Sequence, residues 1–330
     1  MTLTQLRYLV AIADAGLNIT VAADRVHATQ PGLSKQLKAF EDELGFQMFT
    51  RRGKSLERLT AAGHEIVERA RSILAEAGNI KAFADNQRGR AHGDLRIVTT
   101  HTQARFVLPA ALAALRGVYP ELSVSIEPAE EDRAREDIER GVADLAVLSS
   151  ASEAPSFGLA VPLFTFDRIV LVSRQHPLAE LKRPVEVADL AKHPLVVYSS
   201  YTRADSTLRQ AFAAAGFEPK IALTARDADL IVTYVREGFG VGILADLALS
   251  HANGPDLVAL DASKLLKRCI SYGILPRDRV HRDHTLDLLI QLAPQLDRTS
   301  LRRALRGVGD AWPEPPAWRS SQAPKRLTAA

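Results

Sequence analysis

The chain has 330 residues, 46% of them hydrophobic, with 42 basic and 39 acidic side chains and a formal net charge of +3. That composition excludes an intrinsically disordered chain and allows sizeable buried cores in two or three domains. There is no apolar run of membrane-spanning length and no signal-peptide pattern, and the single cysteine, Cys269, excludes an intrachain disulfide; a reducing cytoplasm and no membrane partner are expected.

The positive balance is local. Residues 301–330 carry Arg302, Arg303, Arg306, Arg319, Lys325 and Arg326 against Asp310 and Glu314, a net of +4, so residues 1–300 sum to −1. Global charge therefore says nothing about a nucleic-acid partner, and only local basic faces can.

Three short helical patterns open the chain. Leu6, Leu9, Val10 and Ala13 form one stripe, and Ala22, Ala23 and Val26 form a second with small residues suited to close packing. Leu33, Leu37, Phe40 and Leu44 fall on one face of a third helix, opposite Gln30, Ser34, Lys35 and Lys38. Thr29 is placed to cap that helix, and Pro31 fits its first turn, where a missing N–H costs nothing. Three helices on one small core predict a helix-turn-helix whose third helix packs with its back and reads a DNA groove with its front. The alternative is an ordinary amphipathic bundle.

Residues 46–58 (FQMFTRRGKSLER) follow. Arg51, Arg52 and Lys54 surround Gly53, a natural turn residue between two short extended arms. Directly after a helix-turn-helix this basic hairpin reads as a wing lying on DNA phosphates, although alone it would be a solvated loop. The DNA-binding candidates are Thr29, Gln30, Pro31, Ser34, Lys35, Lys38, Arg51, Arg52 and Lys54, in a domain spanning residues 1–58.

Residues 59–88 form one long helical pattern. Leu59, Gly63, Ile66, Ala70, Ile73, Ala77, Ile80 and Ala84 recur at four-three spacing, which keeps a narrow seam facing a partner helix. The expected use is dimerisation, because two reading helices must be held at fixed spacing on a two-fold site. The alternative is a helix packed on its own domain. The polar run DNQRGRAHG at 85–93 reads as a hinge.

Short apolar strands then alternate with helices: LRIVTT, LSVSIEP, DLAVLS, RIVLVS, PLVVYS, KIALTA and GVGILA, with helical stretches near 105–118, 133–140, 206–215 and 228–237. This predicts α/β architecture with mostly parallel sheets over residues 93–298, split into two subdomains around a cleft as in periplasmic binding proteins. The crossovers are expected near Leu163 and Leu266, placing about 93–163 and 266–298 in subdomain I and about 164–265 in subdomain II. Residues 299–330, with Trp312, Trp318 and PEPP, read as a weakly ordered tail.

The most legible cleft chemistry is TTHTQARF at 99–106, where a strand ends and a helix begins. N–H groups at a helix start favour an anion, and Thr100, Thr102 and Gln103 add neutral donors that suit sulfate. A threonine that merely caps the helix is the plain alternative. Arg105 faces either cleft or surface, and His101 reads as a packed or exposed side chain. SSYTRADST at 199–207 is placed to close over the same ligand, with Thr202 its best donor. TARDAD at 224–229 leads into a segment whose Gly238, Gly240 and Gly242 permit a tight helix-to-strand return. That order is the reverse of a dinucleotide fingerprint.

The run from LRYLVAIADAG through AADRVHATQPGLSKQLKAFEDELGFQMFTRRGK to LTAAG resembles the LysR-type transcriptional regulators. TTHTQARF, TARDAD and TYVREGFGVGILA resemble the CysB-like branch, which controls sulfur assimilation, over about residues 1–295. The resemblance implies a winged helix-turn-helix, a dimerising linker helix and a two-subdomain effector domain that needs no cofactor. It also implies homodimers paired into homotetramers on a two-fold promoter site, and contact with RNA polymerase. By motif it implies that Thr100, Thr102, Gln103 and Thr202 hold sulfate, thiosulfate or an effector such as N-acetylserine. Phe166, also an effector-binding candidate by this resemblance, stands where the branch has a tryptophan, and the loop after Thr202 also differs from the branch pattern.

Two other classes fit less well. A solute receptor would share the cleft but needs a signal peptide and no winged helix. An enzyme needs a nucleophile–base pair or a metal cluster, and the nine scattered histidines and lone cysteine offer none. The closer competitor is a LysR-type regulator answering to an unrelated metabolite.

Overall fold

The computed structural model describes residues 1–53, 55–88, 93–249, 254–277, 279–308 and 312–318. The chain divides into two compact units, Met1–Gly89 with Asp278–His281, and Arg90–Arg277 with Arg282–Ala330.

The first unit holds α1 (Leu3–Asp14), α2 (Ile19–Arg25), α3 (Gln30–Leu44), the antiparallel pair β1 (Phe49–Arg52) and β2 (Ser55–Leu59), and α4 (Ala61–Gln87). A capping box between Thr2 and Gln5 starts α1, and the Thr60 side chain caps α4. The expected stripes meet in one core around Leu9, Leu33, Phe40 and Phe49, joined by Val67 and Ala70 of α4. Each such side chain contributes roughly 1.5–3 kcal/mol through burial. Asp14 and Arg71 add a half-shielded ion pair at 2.6 Å between α1 and α4.

The residues of α4 fall into two groups by burial. At Gly63, an added Cβ would sit 2.0 Å from the carbonyl oxygen of Met48, so this position is small to let α4 press on the wing's base. Val67 and Ala70 are buried in the same core. Further along, Ile73, Ile80 and Phe83 are 40%, 67% and 57% exposed. The own-domain reading thus fits the helix start, whereas Ile73, Ile80 and Phe83 face outward.

The second unit contains two five-stranded sheets. The first consists of β3 (Gly93–Thr99), β4 (Leu122–Pro128), β5 (Leu145–Ser150), β6 (Leu159–Phe166) and a late strand, β12 (Cys269–Leu275), in the order β4-β3-β5-β12-β6. The second consists of β7 (Arg168–Ser173), β8 (Leu195–Tyr198), β9 (Ile221–Ala225), β10 (Val241–Ala245) and β11 (Leu257–Asp261), in the order β11-β7-β10-β8-β9. Helices α5 (His101–Phe106), α6 (Leu108–Val118) and α7 (Glu131–Glu139) accompany the first sheet. The short α8 (Val187–Leu190), then α9 (Thr207–Ala214) and α10 (Ala228–Arg236), accompany the second. The chain returns through α11 (Asp283–Leu292) and α12 (Arg298–Leu305).

Three features differ from the sequence reading. Each sheet is half parallel and half antiparallel rather than mostly parallel, because the strands on either side of the two crossovers pair antiparallel with their neighbours. The first change of sheet falls at Asp167, since β6 runs past Leu163 to Phe166; the second lies between Asp261 and Cys269, spanning Leu266. Of the expected tail, the described residues 299–308 and 312–318 pack on the first sheet's side. Leu301 of α12 is fully buried, Thr165 N donates to Pro316 O at 2.8 Å, and the Trp318 ring lies 4.5 Å from that of Phe164. β6 is an edge strand with backbone groups to satisfy, and the tryptophan supplies apolar area to bury beside it. Residues 319–330 and 89–92, the latter within the expected hinge, lie outside the described residues.

Candidate functional site

Helix α3 separates its two faces cleanly. Leu33, Leu37 and Phe40 are buried, while Gln30, Pro31, Lys35 and Lys38 are exposed and Ser34 is half-buried. Thr29 holds extended backbone geometry, and its Oγ1 accepts from Gly32 N at 3.3 Å, satisfying one donor of the first turn. Gln30 Nε2 donates to Ser34 Oγ at 3.4 Å, one turn along, so the two polar candidates form one surface element.

The wing is anchored by a residue the sequence reading passed over. Glu41 is only 5% exposed on the buried side of α3. Its Oε1 accepts from Met48 N at 2.8 Å and Phe49 N at 3.3 Å, and Arg51 Nη2 donates to its Oε2 at 3.0 Å. Arg51 is thereby oriented by the reading helix, while Arg52 is exposed on the hairpin beside it. Gly53 turns the hairpin at φ +64°, a conformation open to glycine; Lys54 lies outside the described residues. The signal for Glu41 was present as an acidic residue adjoining the apolar stripe of α3, four places before its C-cap glycine.

In the second unit, the sequence-derived donors gather at the start of α5. Thr100 caps it, its Oγ1 accepting from Gln103 N at 3.3 Å, which leaves the hydroxyl proton for another acceptor. Gln103 is buried, and its Nε2 donates to Ser149 Oγ at 2.6 Å. Ser149 is exposed at the end of β5, so its own proton is likewise available. The Gln103 Oε1 atom is buried without a partner. Thr102 donates to Tyr198 OH at 3.4 Å, reaching from the first sheet's side to the second's. Burial raises the Tyr198 phenol above its ordinary range, so it remains a hydroxyl at any physiological pH. With only six residues, α5 has little dipole, and side-chain hydroxyls dominate this donor set.

The other candidates are placed differently. Thr202 ends the 3-10 turn Ser199–Thr202 just after Tyr198, and its hydroxyl donates to Ser199 O at 2.8 Å within that turn. Phe166 is buried at the end of β6 and lines a separate cavity of about 540 Å³ with Arg168, Asp246 and Trp318. His101 is exposed, and Arg105 pairs with Asp229 of α10. Gly238 and Gly240 adopt φ +78° and +147° in the return to β10, as the tight turn requires. Sequence reasoning missed Ser149 and Tyr198 because each closes an apolar strand and looks like its last residue.

A capped reading helix with a wing tied to it defines the class of winged helix-turn-helix DNA-binding regulators. Residues 3–64 match the bacterial regulatory helix-turn-helix protein, lysR family, and residues 88–297 match the LysR substrate binding domain. The chain belongs to the LysR family of transcriptional regulators. It is 38% identical to the HTH-type transcriptional regulator CysB of Haemophilus influenzae, over 93% of this chain and 94% of that one. The cofactor-binding domain of the Cbl transcriptional regulator covers 65% of this chain and 93% of its own, with 28% identity and a TM-score of 0.59. Full-length CbnR complexed with target DNA covers 89% of this chain and 99% of its own, with 25% identity and a TM-score of 0.57.

Proposed function

We propose that this regulator controls sulfur-assimilation genes, with its grip on a two-fold promoter site set by a small sulfur-related anion in the cleft. The similarity to CysB and Cbl supports the gene class. The observation that carries the anion is the set of neutral hydroxyls around Gln103: Thr100, Ser149 and Tyr198 each accept a bond from Gln103 or Thr102 and keep a proton to donate, and Thr102 would turn its own from Tyr198 to a ligand. Neutral donors match a fully ionised, acceptor-only ligand such as sulfate or thiosulfate, and would also take the carboxylate of N-acetylserine. A cytoplasmic protein follows from the proposed role on promoter DNA; no helix among the described residues is long and apolar enough to cross a membrane.

On this reading Gln30, Ser34 and Lys35 face base edges, while Lys38, Arg52 and Lys54 meet phosphates and Arg51 stiffens the wing. The exposed Ile73, Ile80 and Phe83 of α4 pair two chains, and further pairing gives a tetramer that contacts RNA polymerase. An anion that binds one arrangement of the cleft better than another shifts the balance between them. A thermal-shift screen of sulfate, thiosulfate, N-acetylserine and aromatic acids tests the ligand class. At a hundredfold excess over Kd the true effector adds about 2.7 kcal/mol of stability. A rise with aromatic acids and none with the sulfur anions would replace this reading with a regulator of another metabolite.

A further inference from the structure

The helix that carries the anion donors also carries an ion pair across the cleft. Arg105, on α5, places Nη1 2.5 Å from Oδ2 of Asp229, on α10. Thr102, three residues earlier on the same helix, reaches Tyr198 at 3.4 Å. Thr102, Arg105, Asp227 and Asp229 line one groove of about 330 Å³. Asp227 is committed to capping α10, accepting from Leu230 N at 2.8 Å. Arg105 and Asp229 are 50% and 40% exposed, so their pairing is an exchangeable contact rather than a fixed strut.

We propose that Asp229 is a built-in competitor for the effector: without ligand its carboxylate occupies Arg105, and an anion held by the Thr100–Gln103 donors takes Arg105 over. This rests on the anion-cleft reading above. Asp229 opposes an anion in two ways, by engaging the cation on α5 and by repelling like charge. Exchange of Arg105 from carboxylate to ligand breaks a bond between the two sheets' helices, so occupancy of the donor cluster changes what holds α5 to α10. Such a contact gives ligand binding a differential interaction with two arrangements of the cleft, which a conformational response requires.

Calorimetric titration of the full-length protein with thiosulfate and with sulfate tests this, comparing the parent with Asp229→Asn, Arg105→Gln, the double variant and Thr102→Ala. Asp229→Asn binds either anion about two- to fivefold tighter, and Arg105→Gln binds it weaker by a similar factor, the scale of a solvent-exposed pair. In the Arg105→Gln background the gain from Asp229→Asn falls to less than half. Asp229→Ser supplies a second neutral side chain if the amide disturbs folding. Unchanged or weaker binding by both neutral variants, or a gain of equal size in both backgrounds, overturns the proposal. If Thr102→Ala loses affinity while the Asp229 variants match the parent, the competitor fails and the anion cleft stands. If the parent binds neither anion, the cleft reading fails and the competitor with it.

Discussion

Replacing Glu41 tests how the reading helix and the wing are joined. Met48 and Phe49 are both fully buried, and their N–H groups converge on one carboxylate oxygen. Glu41→Ala removes that acceptor where water cannot reach. At about 1–3 kcal/mol for each buried donor left unsatisfied, with partial relaxation, the loss is about 2–5 kcal/mol. The Arg51 contact adds little, because its guanidinium is 37% exposed and solvent screens it. Glu41→Gln keeps an acceptor oxygen and so costs much less than Glu41→Ala. Urea unfolding followed by circular dichroism reads the stability, and fluorescence anisotropy of a labelled promoter fragment reads DNA affinity. Glu41→Ala lowers the unfolding midpoint and weakens DNA binding, with anion binding in the cleft unchanged by calorimetry. A Glu41→Ala protein equal to the parent in both assays would refute the coupling. Equal damage from the amide would shift the weight from the two N–H bonds to the charge pair.

Three further outcomes are expected. Lys38→Ala, which removes a phosphate contact, weakens promoter binding and reduces the slope of log affinity against log salt by about one; Ser34→Ala weakens binding without changing that slope. Ile80→Lys, at a 67% exposed seam position, shifts sedimentation toward the monomer while sparing ligand binding. His284 is buried, and burial, reinforced by the Arg282 charge, lowers its pKa from 6.5 to about 4. The folded chain keeps it neutral while the unfolded chain takes up a proton, so its stabilising contribution is full above pH 6.5 and is lost as pH falls towards 4. The full loss is about 3 kcal/mol, and His284→Gln flattens that part of the stability–pH curve.

Much of the architecture was legible because it rests on local periodicity. The α3 stripe, the Thr29 cap, the hairpin turn at Gly53 and the strands flanking α5 all carry their signal within a few residues. β6 was hidden by Pro162, which argues against a strand interior but is tolerated here on a sheet edge. β12, CISYGIL, has its apolar residues interrupted by Ser271 and Gly273 and pairs with partners more than a hundred residues away, so nothing near it announces a strand. The cleft was half legible. Thr100, Thr102 and Gln103 share one segment, whereas Ser149, Tyr198 and Asp229 join them only through sheet topology. Phe166, assigned to the ligand by resemblance, lines another cavity because β6 continues past the expected crossover.

On the proposed function, a small anion at the α5 donors sets the grip of the reading helices on DNA. Anisotropy titration of a two-fold promoter fragment, with and without saturating thiosulfate or N-acetylserine, tests it directly when the parent and Thr102→Ala are compared at matched ionic strength. The ligand is expected to displace the parent's binding curve and leave the variant's nearly unmoved, the lost donor costing about 1–3 kcal/mol of ligand affinity. Equal displacement of both curves, or of neither, would contradict it.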